Sequence, residues 1–500
     1  MSILIENNAP GVSAIVNESQ TSRPIVLQPE STSFVIGFAP WGPIGVRQMA
    51  TSFADYLRKG GGFHPLGYVA DHAKIFFDDY PGATMYWVRA GGEDAAKATI
   101  TVNNRVGSPA ATFKFDAKYP SSQADIKVKV ENITDDDANV KITVTSVFLN
   151  KSQSFRVDLR DEDQLAAFNL KSELVDASLA TEAVDGATGR PAAGEFTLAG
   201  GDDDSGSVDP ADLTDYLDQF AEKTLGIGQV LIPGFYDASI NSEVFAHCES
   251  YRRVGFVDPE LATAYDDLPA AFTTHSSNGA VCYPWVQKQA VDGSRVKKFY
   301  PPSIFEASEC ALADRQFGTQ RAPANLRNIP GAVDLERNTD GTPVIIEGVR
   351  EYLNGQNINV IAPRPAGIRM FGARLYTSDG DSLIQFIHQR RLLNRITYSI
   401  EVGLEWAVFS ELTAQGRTYR DVESSCKTFL RQLWKDGGLS GTTEAEAFSV
   451  NAGLDINTDE DRAAGRLNVD IAVLLPGCAE KILVRISPVA SSADLTGGAN

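Results

Sequence analysis

The side chains able to do chemistry are scattered. Five histidines, His64, His72, His247, His275 and His388, show no H-E-x-x-H or other paired spacing, so a metal site would have to be assembled from distant segments. Lone histidines of this kind read as structural residues. Five cysteines, Cys248, Cys282, Cys310, Cys426 and Cys478, are odd in number and include no C-x-x-C pair, which reads as buried free thiols in a reducing compartment. The acidic runs 135–137 and 202–204 lack the spaced oxygens and distal glutamate of a calcium loop and read as solvated turns. GGLSGT (437–442) approaches a nucleophile elbow but has Thr442 where the last glycine must stand. GIGQVL (226–231) opens like a dinucleotide fingerprint, lacks the third glycine and runs into a strand, whereas a pyrophosphate needs a helix N-terminus. The expectation is a protein that is not an enzyme, with no catalytic residues, cofactor or metal.

One charged pattern is more informative. In a helix over residues 419–435, Arg420, Lys427 and Arg431 share one face, while Val422, Cys426, Phe429 and Leu433 share the opposite one. Such a helix packs inward and shows positive charge outward, either as a solvated face or as a docking stripe for an acidic partner. It stands out because the chain as a whole is acidic, with 45 Lys and Arg against 65 Asp and Glu and a formal charge of −20. That balance disfavours direct nucleic-acid binding.

The chain has 500 residues, 43% hydrophobic and 22% charged, which fits an ordinary globular protein of about three domains. No apolar run is long enough to span a bilayer, and MSILIENNAPGVSAIV lacks the basic and apolar regions of a secretory signal. Synthesis and retention in the cytoplasm until assembly are expected.

The elements that must position these residues begin with two short extended pieces, 3–5 and 12–16, around an Asn/Pro/Gly turn. SFVIGFA (33–39) suits a strand buried on both faces. A helix capped by Ser52 runs through residue 59, a second spans 68–79, and the strand MYWVRA (85–90) follows. This is the order of a crossover unit. Alternating segments then predict a β-rich insert: ATITV, ATFKFDA, DIKVKVE, VKITVTSVFL and QSFRVDL. Helix and strand alternate again from a helix over 211–223 through QVLIPG, a helix over 239–252, VGFVD and AVCYPWV (280–286). The last part reads as a strand GIRMFGARLY (367–376), a helix over 382–400, the amphipathic helix, and terminal strands AFSVNAGL, GRLNVDIAVLLPG and KILVRISPV.

Several segments, in this order, resemble the tail sheath proteins of contractile phages, tailocins and related injection systems: APGVSAIV (9–16), SFVIGFAPWGP (33–43), FFDDYPGATMYWVRA (76–90), LAGGDDDS, QVLIPG, APAN (322–325), YLNGQNINVI (352–361), FGARL (371–375), HQRRLLNRITYSI (388–400) and NTDEDRAAGRLNVDIAVLLPGCAEKILVRI (457–486). The sequence departs from the pattern at Leu375, where the family often has threonine, and over residues 97–198, which match nothing in it.

The resemblance implies an α+β multidomain chain: a conserved tail-sheath core built from N- and C-terminal segments, an α/β domain and an inserted β-rich domain. The expected spans are an N-terminal extended arm 1–30, an α/β domain from 31–95 with 200–366, an inserted outer domain 96–199, an inner sheath domain 367–480 and a C-terminal arm 481–500. It further implies a contractile sheath subunit that polymerises helically around an inner tail tube, with itself, the tube, baseplate and terminator proteins as partners and no membrane insertion. The particle would be a virion tail or contractile injection system, assembled in the bacterial cytoplasm. Strand exchange between subunits would use Val12, Ala14 and Val16 with Ile482, Val484 and Ile486, and the tube-facing candidates are Arg420, Lys427 and Arg431. Alternative readings are a baseplate part, an adhesin or an α/β enzyme.

Overall fold

The computed structural model describes residues 24–105, 110–133, 136–179, 190–338, 340–378, 383–413 and 416–484. The chain divides into two units, Pro29–Arg395 with Leu475–Asn500, and Met1–Gln28 with Ile396–Leu474. Residues 367–395 and 475–480 of the expected inner domain therefore group with the larger unit, in part because residues 367–370 complete its sheet.

In the larger unit, β1 (Thr32–Gly37) is buried throughout, as an apolar run with no alternation requires. β2 (Arg47–Ala50) leads to α1 (Phe53–Gly60), where the Ser52 side chain accepts the Asp55 N–H and Gly61 ends the helix in the left-handed region at φ 80°. α2 (Val69–Asp79) then returns the chain to β3 (Thr84–Arg89), which lies parallel to β1.

The insert follows, with β4 (Thr99–Asn103), β5 (Ala111–Ala117), β6 (Ile126–Ile133), β7 (Asp136–Ser146), β8 (Lys151–Val157), α3 (Glu162–Lys171), β9 (Val175–Leu179) and β10 (Gly194–Thr197). Its strands form two antiparallel sheets, ordered β4-β5-β9 and β10-β6-β7-β8. Phe113, Phe115, Ile126, Val128, Ile142 and Val144 form a core of its own, into which Trp41 of the preceding segment also packs. α3 was absent from the expectation. Its polar sequence buries only Phe168, so it offers little apolar periodicity.

Alternation resumes with β11 (Gln229–Leu231), α4 (Ala238–Tyr251), β12 (Val254–Val257), α5 (Leu268–Ala271) and β13 (Gly279–Tyr283). The helix expected over 211–223 is instead a succession of 3₁₀ turns, Pro210–Phe220 and Lys223–Leu225. AVCYPWV is two strands, because Pro284 cannot donate to the ladder and β14 (Val286–Gln289) starts after it in a separate sheet with β15 (Lys297–Tyr300) and β16 (Ala332–Leu335). Between these last two lies α6 (Pro302–Gln316), buried at every position from Pro302 to Ala313. α7 (Glu347–Gly355), β17 (Asn359–Arg364) and β18 (Gly367–Met370) follow. The large sheet has eight strands in the order β18-β17-β13-β12-β11-β1-β3-β2, parallel inside and antiparallel at both edges. GIRMFGARLY is a strand only to Met370. Beyond it the Asn359 side chain replaces the ladder, accepting the Arg374 N–H and donating to the Arg374 carbonyl.

The division between units falls inside α8 (Ile387–Leu404), which starts later and runs further than the expected 382–400. In the smaller unit, α9 (Arg417–Lys435), α10 (Glu444–Ala447), β19 (Phe448–Asn451), α11 (Asp459–Ala463) and β20 (Asp470–Val473) form a compact group around an antiparallel strand pair. Buried Asn457 ties its loops together, donating to the carbonyls of Ala452, Gly453 and Asn468 and accepting the Asn468 N–H. On the N-terminal side, the Gln28 N–H donates to Ser399 Oγ at 2.9 Å.

Candidate assembly surfaces

α9 has the two faces that its sequence requires. Tyr419, Val422, Cys426, Phe429, Leu430 and Leu433 are buried. On the outer face, Lys427 pairs with Glu423 one turn earlier, the favourable order for a helical ion pair. Arg431 makes a two-pronged bond to Glu444, Nε and Nη2 each at 2.8 Å, which raises the pKa of the guanidinium and lowers that of the carboxyl. Arg420 is exposed and has no carboxylate partner among the described residues. Two of the three expected docking charges are thus already matched within the chain, and Arg420 keeps its charge unspent.

The termini differ in what can be described. Val12, Ala14, Val16 and Ile486 lie outside the described residues. The C-terminal segment is first held down: His388 and Gln389 on α8 both lie 3.1 Å from the Pro476 carbonyl, and Arg374 pairs with Glu480 through Nε at 2.9 Å. Immediately afterwards Ile482, Leu483 and Val484 stand 80%, 78% and 69% exposed, in no strand among the described residues. KILV therefore forms no strand among the described residues, although its residue types favour one. Aliphatic side chains in a row with free backbone groups form a template for strand addition.

Sequence reasoning missed two further features. Phe409 is fully exposed and sits at φ 63°, a conformation that a bulky residue rarely adopts. In the larger unit, buried Arg391 on α8 reaches both Glu30 at 3.4 Å and Asp314 at 2.5 Å, and Ser31 Oγ donates to Asp314. Burial pushes the Glu30 carboxyl up to about 7. No local signal in the sequence links positions 30, 314 and 391.

Among the described residues, no group of three or more His, Cys, Asp or Glu side chains could hold a metal ion. Four of the histidines make hydrogen bonds to other residues: His64 to Asp203, His247 to Arg253, His388 to the Pro476 carbonyl, and His72, which is fully buried 2.8 Å from Ser33 Oγ and whose pKa burial lowers to about 3. Cys248, Cys282, Cys310 and Cys426 are buried and free, and free Cys478 is half-buried.

This order of elements, an inner parallel sheet interrupted by a β-rich insert and followed by a small α+β unit, is the fold of contractile tail sheath proteins. The helical sheath of the anti-feeding prophage in its contracted state matches at 18% identity and TM-score 0.56, over 96% of this chain and 99% of that one. A sheath tail protein from Listeria innocua matches at 15% identity and TM-score 0.61, over 87% and 92%. The sheath complex of an extracellular contractile injection system, also contracted, matches at 16% identity and TM-score 0.55, over 97% and 99%. No family model and no curated protein matches the sequence.

Proposed function

We propose that this chain is the structural subunit of a contractile sheath that polymerises helically around an inner tube and contracts to drive the tube through a target envelope. The observation that carries the reading is the breadth of the match: 96% of this chain aligns with 99% of a contracted-sheath subunit. An enzyme sharing only the α/β core would not align over the smaller unit. Work is done by repacking, with no bond made or broken: an extended lattice converts to a contracted one of lower free energy, and arms exchanged between neighbours keep the subunits connected. The exposed 482–484 segment supports this arm role, with the 12–16 segment as its counterpart. The tube is an acidic partner for Arg420, and the baseplate and terminator proteins bound the polymer. The particle is a virion tail or a related injection system, loaded in the cytoplasm.

Negative-stain microscopy of the purified protein, alone and with its tube protein, tests the proposal. Tubes many subunits long are expected. Discrete small complexes would instead favour a baseplate component, a reading that the match to a chain of the anti-feeding prophage baseplate, at 17% identity and TM-score 0.55, keeps in view.

A further inference from the structure

The larger unit contains a cavity of about 190 Å³ between α2, α6, β14 and the segment leading to β16. Its walls include Ile75 and Phe305 on the apolar side and Asp78, Asp79, Lys288, Ser308, Glu309 and Arg327 on the polar side, with Asp78 paired to Lys74. The carboxylates already have donors. Asp79 accepts from Ser308 Oγ and Arg327 Nη2, and Glu309 accepts the Leu326 N–H at 3.0 Å.

The cations are not served in the same way. Lys288 is only 6% exposed, yet its Nζ makes no hydrogen bond or ion pair among the described residues, and the Tyr300 ring lies 5.6 Å away. Arg327 Nε is buried without a partner. Both groups can only donate, and leaving the buried Arg327 Nε unmade is costly. Asp79 already pairs with Arg327 through Nη2, so what the cavity lacks is an acceptor for Arg327 Nε and a partner for the Lys288 charge, and a negatively charged acceptor serves both better than water does. A volume of 190 Å³ leaves room for a phosphate or a short carboxylate.

We propose that this cavity binds a small oxyanion, held between Lys288 Nζ and Arg327 Nε. Burial, with the Arg327 charge adding to it, lowers the Lys288 pKa against the opposing effect of Asp71, Asp79 and Asp78, and a bound anion offsets that cost. The site is independent of the assembly surfaces, being lined by none of their residues. A ligand that binds only the folded chain stabilises it by mass action.

The test is thermal unfolding and titration calorimetry of the full-length chain, titrated separately with inorganic phosphate and with acetate against sodium chloride at matched ionic strength. A saturable rise in Tm with binding heat is expected from one or both anions, and which of them acts identifies the phosphate or the carboxylate class. Lys288→Met should abolish the rise and Lys223→Met, at an exposed position outside the cavity lining, should keep it. If Lys288→Met does not fold, the titration of the unaltered chain still decides. Absence of saturable heat in the unaltered chain, or a response that persists in Lys288→Met, overturns the site.

Discussion

Glu306 shows what a single residue can decide here. It lies fully buried on α6, with Oε1 accepting from Asn359 Nδ2 at 2.8 Å and Oε2 unpartnered, and burial, with the nearby Asp258 charge adding to it, raises its pKa to about 8. The unfolded chain releases this proton near 4.5 and the folded chain only near 8, so between those values the folded state holds the extra proton and stability falls as pH rises. The slope approaches ~1.4 kcal/mol per pH unit for one group. Glu309 and Glu336, raised to about 7, act in the same direction, while His247 and His388, lowered to about 4, cost stability below pH 6.5. Urea midpoints should therefore peak on the acid side of neutrality, and Glu306→Gln should flatten the decline towards pH 8. An unchanged profile would count against a protonated Glu306. The same scale separates the three α9 cations. Arg420→Glu should weaken co-sedimentation with the tube protein while leaving the unfolding free energy from urea titration within about 0.5 kcal/mol of the parent, whereas Arg431→Glu should also loosen α10 by setting two carboxylates against each other. The basic stripe was legible from its 420, 427, 431 spacing, but its neutralisation by Glu423 and Glu444 was not, because Glu444 comes from another element.

At the level of elements, what the sequence displayed best were segments with one dominant requirement. SFVIGFA needed burial on both faces, and the first helix carried its own cap and stop in Ser52 and Gly61. α6 was unreadable for the opposite reason. PSIFEASECALADRQ mixes acids and serines with apolar residues, yet it is buried because several of its polar side chains find distant partners, Ser303 at Asp258, Glu306 at Asn359 and Glu309 at Leu326. Close packing of α4 on the sheet depends on missing side chains: a Cβ at Gly279 would stand 2.2 Å from the Phe245 ring. Gly279→Ala should accordingly destabilise the larger unit by about 1–3 kcal/mol in urea unfolding. Phe245→Leu in that background should recover part of the loss, and full additivity of the two changes would show that they do not share the contact.

At the scale of the molecule, the sheath-protein fold was legible because ordered segments are spread from residue 9 to residue 486, so that topology is implied even where each piece is unspecific. The insert lacked that support and was readable only as strands. Its two sheets and separate core arise from alternation alone, and nothing in its residues names a partner. If the arms carry assembly, deleting residues 1–16 should leave a folded chain with an unchanged urea midpoint that forms no tubes at concentrations where the parent does. Normal tubes from the truncation would remove the arm model.

The thiols give the molecule a built-in reporter. A thiolate, not a thiol, is what an electrophile captures, and four of the five cysteines are buried while Cys478 is half-buried, between the anchored Pro476 and the exposed 482–484 run. Burial raises the Cys478 pKa as well, so alkylation should be slow at neutral pH and quicken as the solution is made alkaline. Native chain should take up one equivalent of maleimide and denatured chain five. A fluorophore placed there without mutagenesis would sit four residues from Ile482, so its anisotropy and quenching would follow the growth of each polymer as it happens.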